Sequence, residues 1–262
     1  GGQSLTQPGT NPTRTGYTCT GWATTPTGTA ISWPYTMPSA NTTLYAVCAP
    51  NVYHVTYIAN GGSPATSADA RDYNYLSDVT VSSAAATGIT RGTYDLVGWN
   101  TEINGSGTTY SIGSTFKMPA ANLNLYAVWV LSSIPIRYDA NGGTGAPAAT
   151  TATATSTYTI DPQEPTRVGY TFNGWNTAAN GSGTAYAASA SFTMPGSNTT
   201  LYAQWLLNNS AVTYNANGGS GAPSGANYNY GQSVTVSSST PSRAGYTFTG
   251  WNTRCDGTGT SY

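Results

Sequence analysis

The stretch Gly169-Tyr170-Thr171-Phe172-Asn173-Gly174-Trp175-Asn176-Thr177 occurs four times in this chain. The other copies are Gly16 to Trp22, Thr93-Tyr94-Asp95-Leu96-Val97-Gly98-Trp99-Asn100-Thr101, and Gly245 to Thr253. Their tryptophans stand at 22, 99, 175 and 251, in steps of 77, 76 and 76 residues. A fixed period of this kind decides the architecture before any local reading, because each unit of the repeat must be one small folding module. Length alone, 262 residues, would suggest one or two domains. The period instead divides the chain into repeats at 1–51, 52–133, 134–209 and 210–262. The first is expected to lack its opening strand and the last its closing strand. Modules this small have thin cores, so contact between neighbours is expected to add stability.

The local pattern is that of strands and turns. Gly, Pro, Thr, Ser and Asn dominate, and these residues disfavour helix interiors. Tyr53-His54-Val55-Thr56-Tyr57-Ile58 alternates so that Tyr53, Val55 and Tyr57 share one face, the period of a half-buried strand. Asn60-Gly61-Gly62 then turns the chain, and it returns as Asn141-Gly142-Gly143 and Asn217-Gly218-Gly219, since Gly accepts positive φ without steric cost. The first three modules end on a Met-Pro turn and a strand such as Leu125-Tyr126-Ala127-Val128-Trp129. At most one short helix per module is expected, at the corner before the Gly-Tyr motif, where Pro12, Pro165 and Pro241 stand. Links such as Leu207-Asn208-Asn209-Ser210 are only a few residues long, so neighbouring modules should touch and form a stiff rod.

Charge narrows the function classes. Only 6% of residues are charged, against roughly 25% in ordinary globular proteins. The formal net charge is -1, which leaves no electrostatic footprint for nucleic acid or an anionic membrane. A surface of Thr, Ser, Asn, Gly and Tyr lacks the repulsion that keeps proteins apart, so association in a fibre or coat is one expectation. Glycan decoration is another. The sequons Asn41, Asn104, Asn180, Asn198 and Asn208 are the candidate sites, although a chain so rich in Asn, Ser and Thr produces such triplets by chance. No transmembrane run or signal peptide stands in the sequence. The chain starts and stops inside repeats and reads as a piece of a longer protein.

Few residues suggest chemistry. Six of the seven tryptophans fall at two module positions: Trp22, Trp99, Trp175 and Trp251 at one, Trp129 and Trp205 at the other. A bulky residue recurring in this way is most economically core; Trp33, outside the pattern, is the aromatic to test for surface contact. The single histidine, His54, is expected to face solvent and cannot build a metal site or a repeated catalytic triad. Asp161 and Glu164 are explained by a corner loop and not by glycosidase chemistry. Gly105-Ser106-Gly107 and Gly181-Ser182-Gly183 read as hairpin turns, because neither is followed by the Lys-Ser/Thr of a phosphate loop. No catalytic, cofactor or metal residue is assigned.

The linked motifs resemble the Listeria–Bacteroides repeat, also called the internalin B-repeat: an Asn-Gly-Gly turn, then Pro-x-Arg-x-Gly-Tyr-x-Phe-x-Gly-Trp, then Thr-Leu-Tyr-Ala-x-Trp. The third repeat matches at Asn141 to Gly143, Pro165 to Trp175 and Thr200 to Trp205. The second departs, lacking the Pro and having Thr93 for Gly and Leu96 for Phe. The first has Cys19 for Phe and Cys48 for the last Trp. The resemblance implies a mainly β, α+β module of β-grasp-like form, with first and last strands side by side, in a secreted or cell-surface protein. Two core positions turning to Cys in one module then suggest a Cys19–Cys48 disulfide in an oxidising compartment; Cys255 is left over, either a free thiol or paired outside this chain. Three functions follow as expectations: a non-catalytic stalk, coat or fibre whose partners are copies of itself or surface glycans; a carbohydrate-binding array, which would need Trp33, Tyr45, Tyr126 and Tyr202 exposed; or a spacer in a larger enzyme.

Overall fold

In each complete repeat the opening strand is laid directly beside the closing one, and the rest of the module is arranged around that pair. The computed structural model describes residues 2–262, and the chain separates into two compact units, 1–132 and 133–262. It is almost entirely β, with tandem repeats. The first unit holds a five-stranded sheet in the order Thr109–Ser111, Tyr94–Asn100, Leu123–Leu131, Val55–Ile58, Thr66–Ala68. The second holds the same arrangement: Ala185–Tyr186, Tyr170–Asn176, Thr199–Leu207, Ser133–Asp139, Thr150–Thr153. The central pairing is parallel in both, with Leu125 opposite Tyr57 and Leu201 opposite Tyr138; all the others are antiparallel.

Alternation explains which side chains are inside. Val55 and Tyr57 face inward from the opening strand and Leu125 and Ala127 from the closing strand, all 1% exposed or less, with Tyr53 packed against them. A short ribbon covers this face: Asp78–Thr80 pairs with Thr115–Lys117 in the second repeat, and Thr157–Thr159 with Ser191–Thr193 in the third. The Gly-Tyr strand carries a bulge where the register slips between Leu96 and Gly98, and between Phe172 and Trp175. That extra residue turns the following tryptophan into the core. Trp99 and Trp175 are fully buried against Tyr57 and Tyr138, at centroid distances of 4.6 and 5.0 Å.

Among the described residues one helix forms, Ala84–Thr87 in the second repeat, where Ser83 Oγ accepts the Ala86 N–H and Gly88 closes the end with φ 69°. The other repeats have no room for it, because their corners are shorter. No helix described here is long and apolar enough to cross a membrane. The first repeat keeps a two-stranded pair, Tyr17–Ala23 with Tyr45–Pro50, and the fourth an opening hairpin, Asn209–Val212 with Ala226–Asn229.

Candidate functional site

What recurs in this chain is a set of joints, within each repeat and between successive repeats. Inside a repeat, the Asn-Gly-Gly turn is clamped to the closing strand. Asn60 adopts φ 46° and Asn141 φ 48°, which a short amide side chain tolerates. The Asn141 Nδ2 group donates to Ala179 O at 2.8 Å and Ala203 O at 2.9 Å; Asn60 does the same to Ile103 O and Ala127 O. The closing-strand tryptophan answers: Trp129 Nε1 donates to Ala59 O at 2.8 Å, and Trp205 Nε1 to Ala140 O and Asn141 O at 3.1 Å. The second glycine of the turn lies under that indole, and a Cβ at Gly62 would come within 2.9 Å of Trp129 Cζ2. An arginine lies over the tyrosine three residues on in all four repeats: Arg14 on Tyr17, Arg91 on Tyr94, Arg167 on Tyr170 and Arg243 on Tyr246, at 3.8 to 4.2 Å. Such stacking adds about 0.5–1 kcal/mol at exposed sites.

Between repeats the link is a single residue. Asn51 follows Tyr45–Pro50 and precedes Val52–Tyr53; Asn208 stands likewise between Thr199–Leu207 and Asn209–Val212. The Asn51 N–H donates to Gly16 O at 2.8 Å, its carbonyl accepts the Tyr75 N–H at 2.9 Å, and its side-chain oxygen accepts the Thr18 hydroxyl. Asn208 repeats every contact: N–H to Gly169 O at 2.9 Å, carbonyl from Tyr230 N–H at 2.8 Å, and Oδ1 from Thr171 Oγ1 at 2.6 Å. Each asparagine therefore ties the repeat before it to the repeat after it. The tyrosine that follows packs on the glycine, and a Cβ at Gly16 or Gly169 would run into the ring of Tyr75 or Tyr230. Tyr75 also meets Tyr17 edge-on, with centroids 5.8 Å apart.

The residues singled out from sequence are placed as follows. Cys19 and Cys48 are cross-strand partners joined by a disulfide, at the register position where the other repeats pair Phe172 with Trp205 and Leu96 with Trp129. Cys255 is exposed and its thiol free. Trp99 and Trp175 are fully buried, whereas Trp22, Trp129, Trp205 and Trp251 are half-buried. Trp33 is half-buried and meets Tyr35 at 6.4 Å. Tyr126 and Tyr202 are half-buried and Tyr45 is 39% exposed, which is not a row of open aromatic faces. His54 is exposed, with Nδ1 3.4 Å from Asp72. Asp161 and Glu164 are exposed in the corner loop, where Asp161 Oδ1 accepts the Gln163 N–H.

All five sequon asparagines are exposed. Asn104 and Asn180 use Oδ1 to accept the N–H and hydroxyl of Ser106 and Ser182, and Asn208 is committed to the joint. The Gly-Ser-Gly segments are hairpin loops wrapped around an asparagine. Asn176 Nδ2 donates to Gly181 O and Gly183 O, and Asn100 and Asn252 do the same in their repeats. Sequence reasoning assigned no role to Asn51, Tyr75, Tyr230, Asn100 or Asn176, and took Asn208 only as a linker residue and a sequon. The available signal was the return of Asn at matched places, after the last strand and after the motif Trp.

Known proteins match these features. The Listeria-Bacteroides repeat domain matches four times in tandem, at residues 1–47, 53–128, 135–204 and 211–262. Two proteins of Evansella cellulosilytica are similar. A "Putative Gly-rich membrane protein" is 36% identical over 60% of this chain and 19% of its own length. A "Putative membrane protein" is 30% identical over 99% of this chain and 37% of its own. "Internalin H" of Listeria monocytogenes is 37% identical over 47% of this chain and 21% of its own. The chain thus spans between about a fifth and two fifths of these curated relatives. No solved structure matches. With four consecutive matches covering nearly every residue, the chain belongs to the Listeria-Bacteroides repeat family.

Proposed function

We propose that this segment is a non-catalytic repeat region of a cell-surface protein, a stalk whose task is mechanical. The observation that carries the reading is where the recurring residues go. Trp99 and Trp175 are spent on module cores, Asn60 and Asn141 on closing each module, and Asn51, Asn208, Tyr75 and Tyr230 on joining one module to the next. A chain whose recurring tryptophans, turn and linker asparagines and knob tyrosines serve cohesion is suited to bearing load and spacing, and an array of repeats stabilised by nearest neighbours does this by construction. The names of the relatives, two membrane proteins and an internalin, support a surface location, and the Cys19–Cys48 disulfide suits an oxidising exterior. The low charge suits lateral association with copies of itself in a coat or fibre.

Three measurements test this. Brief protease treatment of intact cells is expected to release peptides of this segment; peptides appearing only after lysis would remove the surface reading. Pulling single molecules is expected to give separate unfolding events, each lengthening the chain by about 25 nm for some 76 residues. Glycan-array binding abolished by Tyr126→Ala and Tyr202→Ala, with folding intact, would replace the stalk by a carbohydrate-binding array.

A further inference from the structure

We infer that Gly16 with Tyr75, and Gly169 with Tyr230, form a socket and knob that determine which repeat can follow which. The inference rests on packing within each unit and stands whether or not the surface reading holds. The register is marked by a left-handed turn residue in each of the second, third and fourth repeats: Leu76 at φ 65°, Thr155 at 61° and Gly231 at 76°. The residues immediately before these are Tyr75, Ala154 and Tyr230. The socket is marked by the carbonyl that receives the linking residue's N–H: Gly16 from Asn51, Thr93 from Ser132 and Gly169 from Asn208.

Across the three boundaries the combinations are Gly with Tyr, Thr with Ala, and Gly with Tyr. Neither Thr with Tyr nor Gly with Ala occurs. The steric reason is visible in the two Gly–Tyr cases, where any Cβ on the glycine would overlap the tyrosine ring. Where the socket is Thr93, the knob position is Ala154, which is fully buried in its own repeat with Ile134, Ile136 and Met194.

Two further positions change in step. The linking asparagines accept a hydrogen bond from Thr18 and Thr171, whereas Ser132 Oγ donates to Asp95 Oδ1 at 2.9 Å. The turn changes as well. Gly16 and Gly169 sit at φ 73° and 78°, whereas in the second repeat the left-handed residue moves one place forward to Gly92, at 34°, which allows Thr93 its side chain. These coordinated differences set the end of the second repeat apart from the ends of the first and third. A repeat with glycine in the socket is shaped for a follower with tyrosine at the knob, because a Cβ there would meet the ring.

The test is a cycle in the full chain, read as amide-exchange protection of Asn51 and Tyr75, whose N–H groups bridge the first boundary. Thr15→Gly/Gly16→Thr installs the second repeat's turn. It is expected to lower protection of both amides about tenfold or more, as local opening becomes easy. Adding Tyr75→Ala should return most of that loss, to within about threefold of Tyr75→Ala alone. Tyr75→Phe should match the native chain. Protection around Trp99 reports that the second repeat stays folded. Because the turn variant can leave the first repeat unfolded, Tyr230→Ala and Tyr230→Phe supply a second reading at Asn208. Alanine should open that boundary and phenylalanine should not, with a smaller effect than at Tyr75 because Tyr230 is 58% exposed. Equal losses from the turn change with and without Tyr75, or Tyr75→Ala and Tyr230→Ala leaving both boundaries as protected as before, would overturn the assignment.

Discussion

The second repeat closes its corner with a helix and the third closes the same corner with a proline. In the second, Ser83 and Gly88 cap a four-residue helix, and Ile89, fully buried, fills the position that buried Pro165 holds in the third. Behind the corner the two repeats agree. Tyr57 and Tyr138 lie against the motif tryptophans, and their hydroxyls accept the backbone N–H of Ser82 and Asp161, each at 3.0 Å. Met118 and Met194, Leu125 and Leu201, and Ala127 and Ala203 occupy matched, buried places. One difference does reach the core. Trp99 Nε1 donates to Ser82 O at 2.8 Å, whereas Trp175 Nε1 finds no partner among the described residues. A frame of one tyrosine, one tryptophan, one methionine, one leucine and one alanine is common, and the corner loop varies because it only has to deliver one apolar residue and one N–H.

The strongest challenge to a common frame is removal of its centre. Trp99→Ala and Trp175→Ala should each cost about 3–5 kcal/mol, as deletions of large buried aromatics do, and should erase exchange protection throughout the repeat concerned. A repeat that keeps its protection without its tryptophan would show that the two cores are not equivalent.

A gentler change separates them. Trp→Phe leaves most of the apolar volume and removes Nε1. Trp99→Phe strands the Ser82 carbonyl, while Trp175→Phe removes an N–H that had no partner. The loss at 99 should exceed that at 175 by about 1–2 kcal/mol, the usual penalty for a broken buried hydrogen bond. Chemical denaturation of the two variants measures the difference. Equal losses would mean that the two indoles are held alike.

These particulars also mark what the sequence made legible. The period, the side-by-side first and last strands that the family resemblance implied, and the Cys19–Cys48 disulfide followed from residues whose neighbours are set by the repeat itself. Thr93 appeared only as a departure from the motif. Its meaning needed the backbone, because a glycine displaced by one residue to Gly92 is visible as such only once φ is known. Asn51 and Tyr75 were invisible for a related reason. Their roles lie between repeats, and a motif read within one repeat has no term for a contact with the next.

The smallest difference is electrostatic and falls on the arm after the Asn-Gly-Gly turn. In the third repeat the arm from Ala148 to Thr159 carries no ionisable side chain except Tyr158. In the second, the Asp69 side chain is 6% exposed and receives Arg71 through Nε at 2.9 Å and Nη2 at 2.7 Å, as well as Tyr73 Oη at 2.9 Å. Burial pushes the Asp69 carboxyl up, but the hydrogen bonds from Arg71 and Tyr73 outweigh it and hold the group below its ordinary 3.8. A carboxyl depressed on folding stabilises the fold above its unfolded pKa, and that contribution is lost as pH falls through the folded value. Tyr73 moves the other way. Burial and the bond to Asp69 raise it from 10 to about 12, so its contribution holds below pH 10 and is lost as pH climbs toward 12. Burial, with the Tyr158 hydrogen bond, likewise raises Tyr138 in the third repeat, so the alkaline limb does not distinguish the repeats. The acid limb does. Below about pH 4 the second repeat should lose roughly 0.5–1 kcal/mol that the third repeat's arm does not, a modest figure because Arg71 is largely in solvent. Asp69→Asn should abolish this step and leave the third repeat unchanged. Acid exchange profiles that fall together in both repeats, or that survive Asp69→Asn, would assign the loss to other groups.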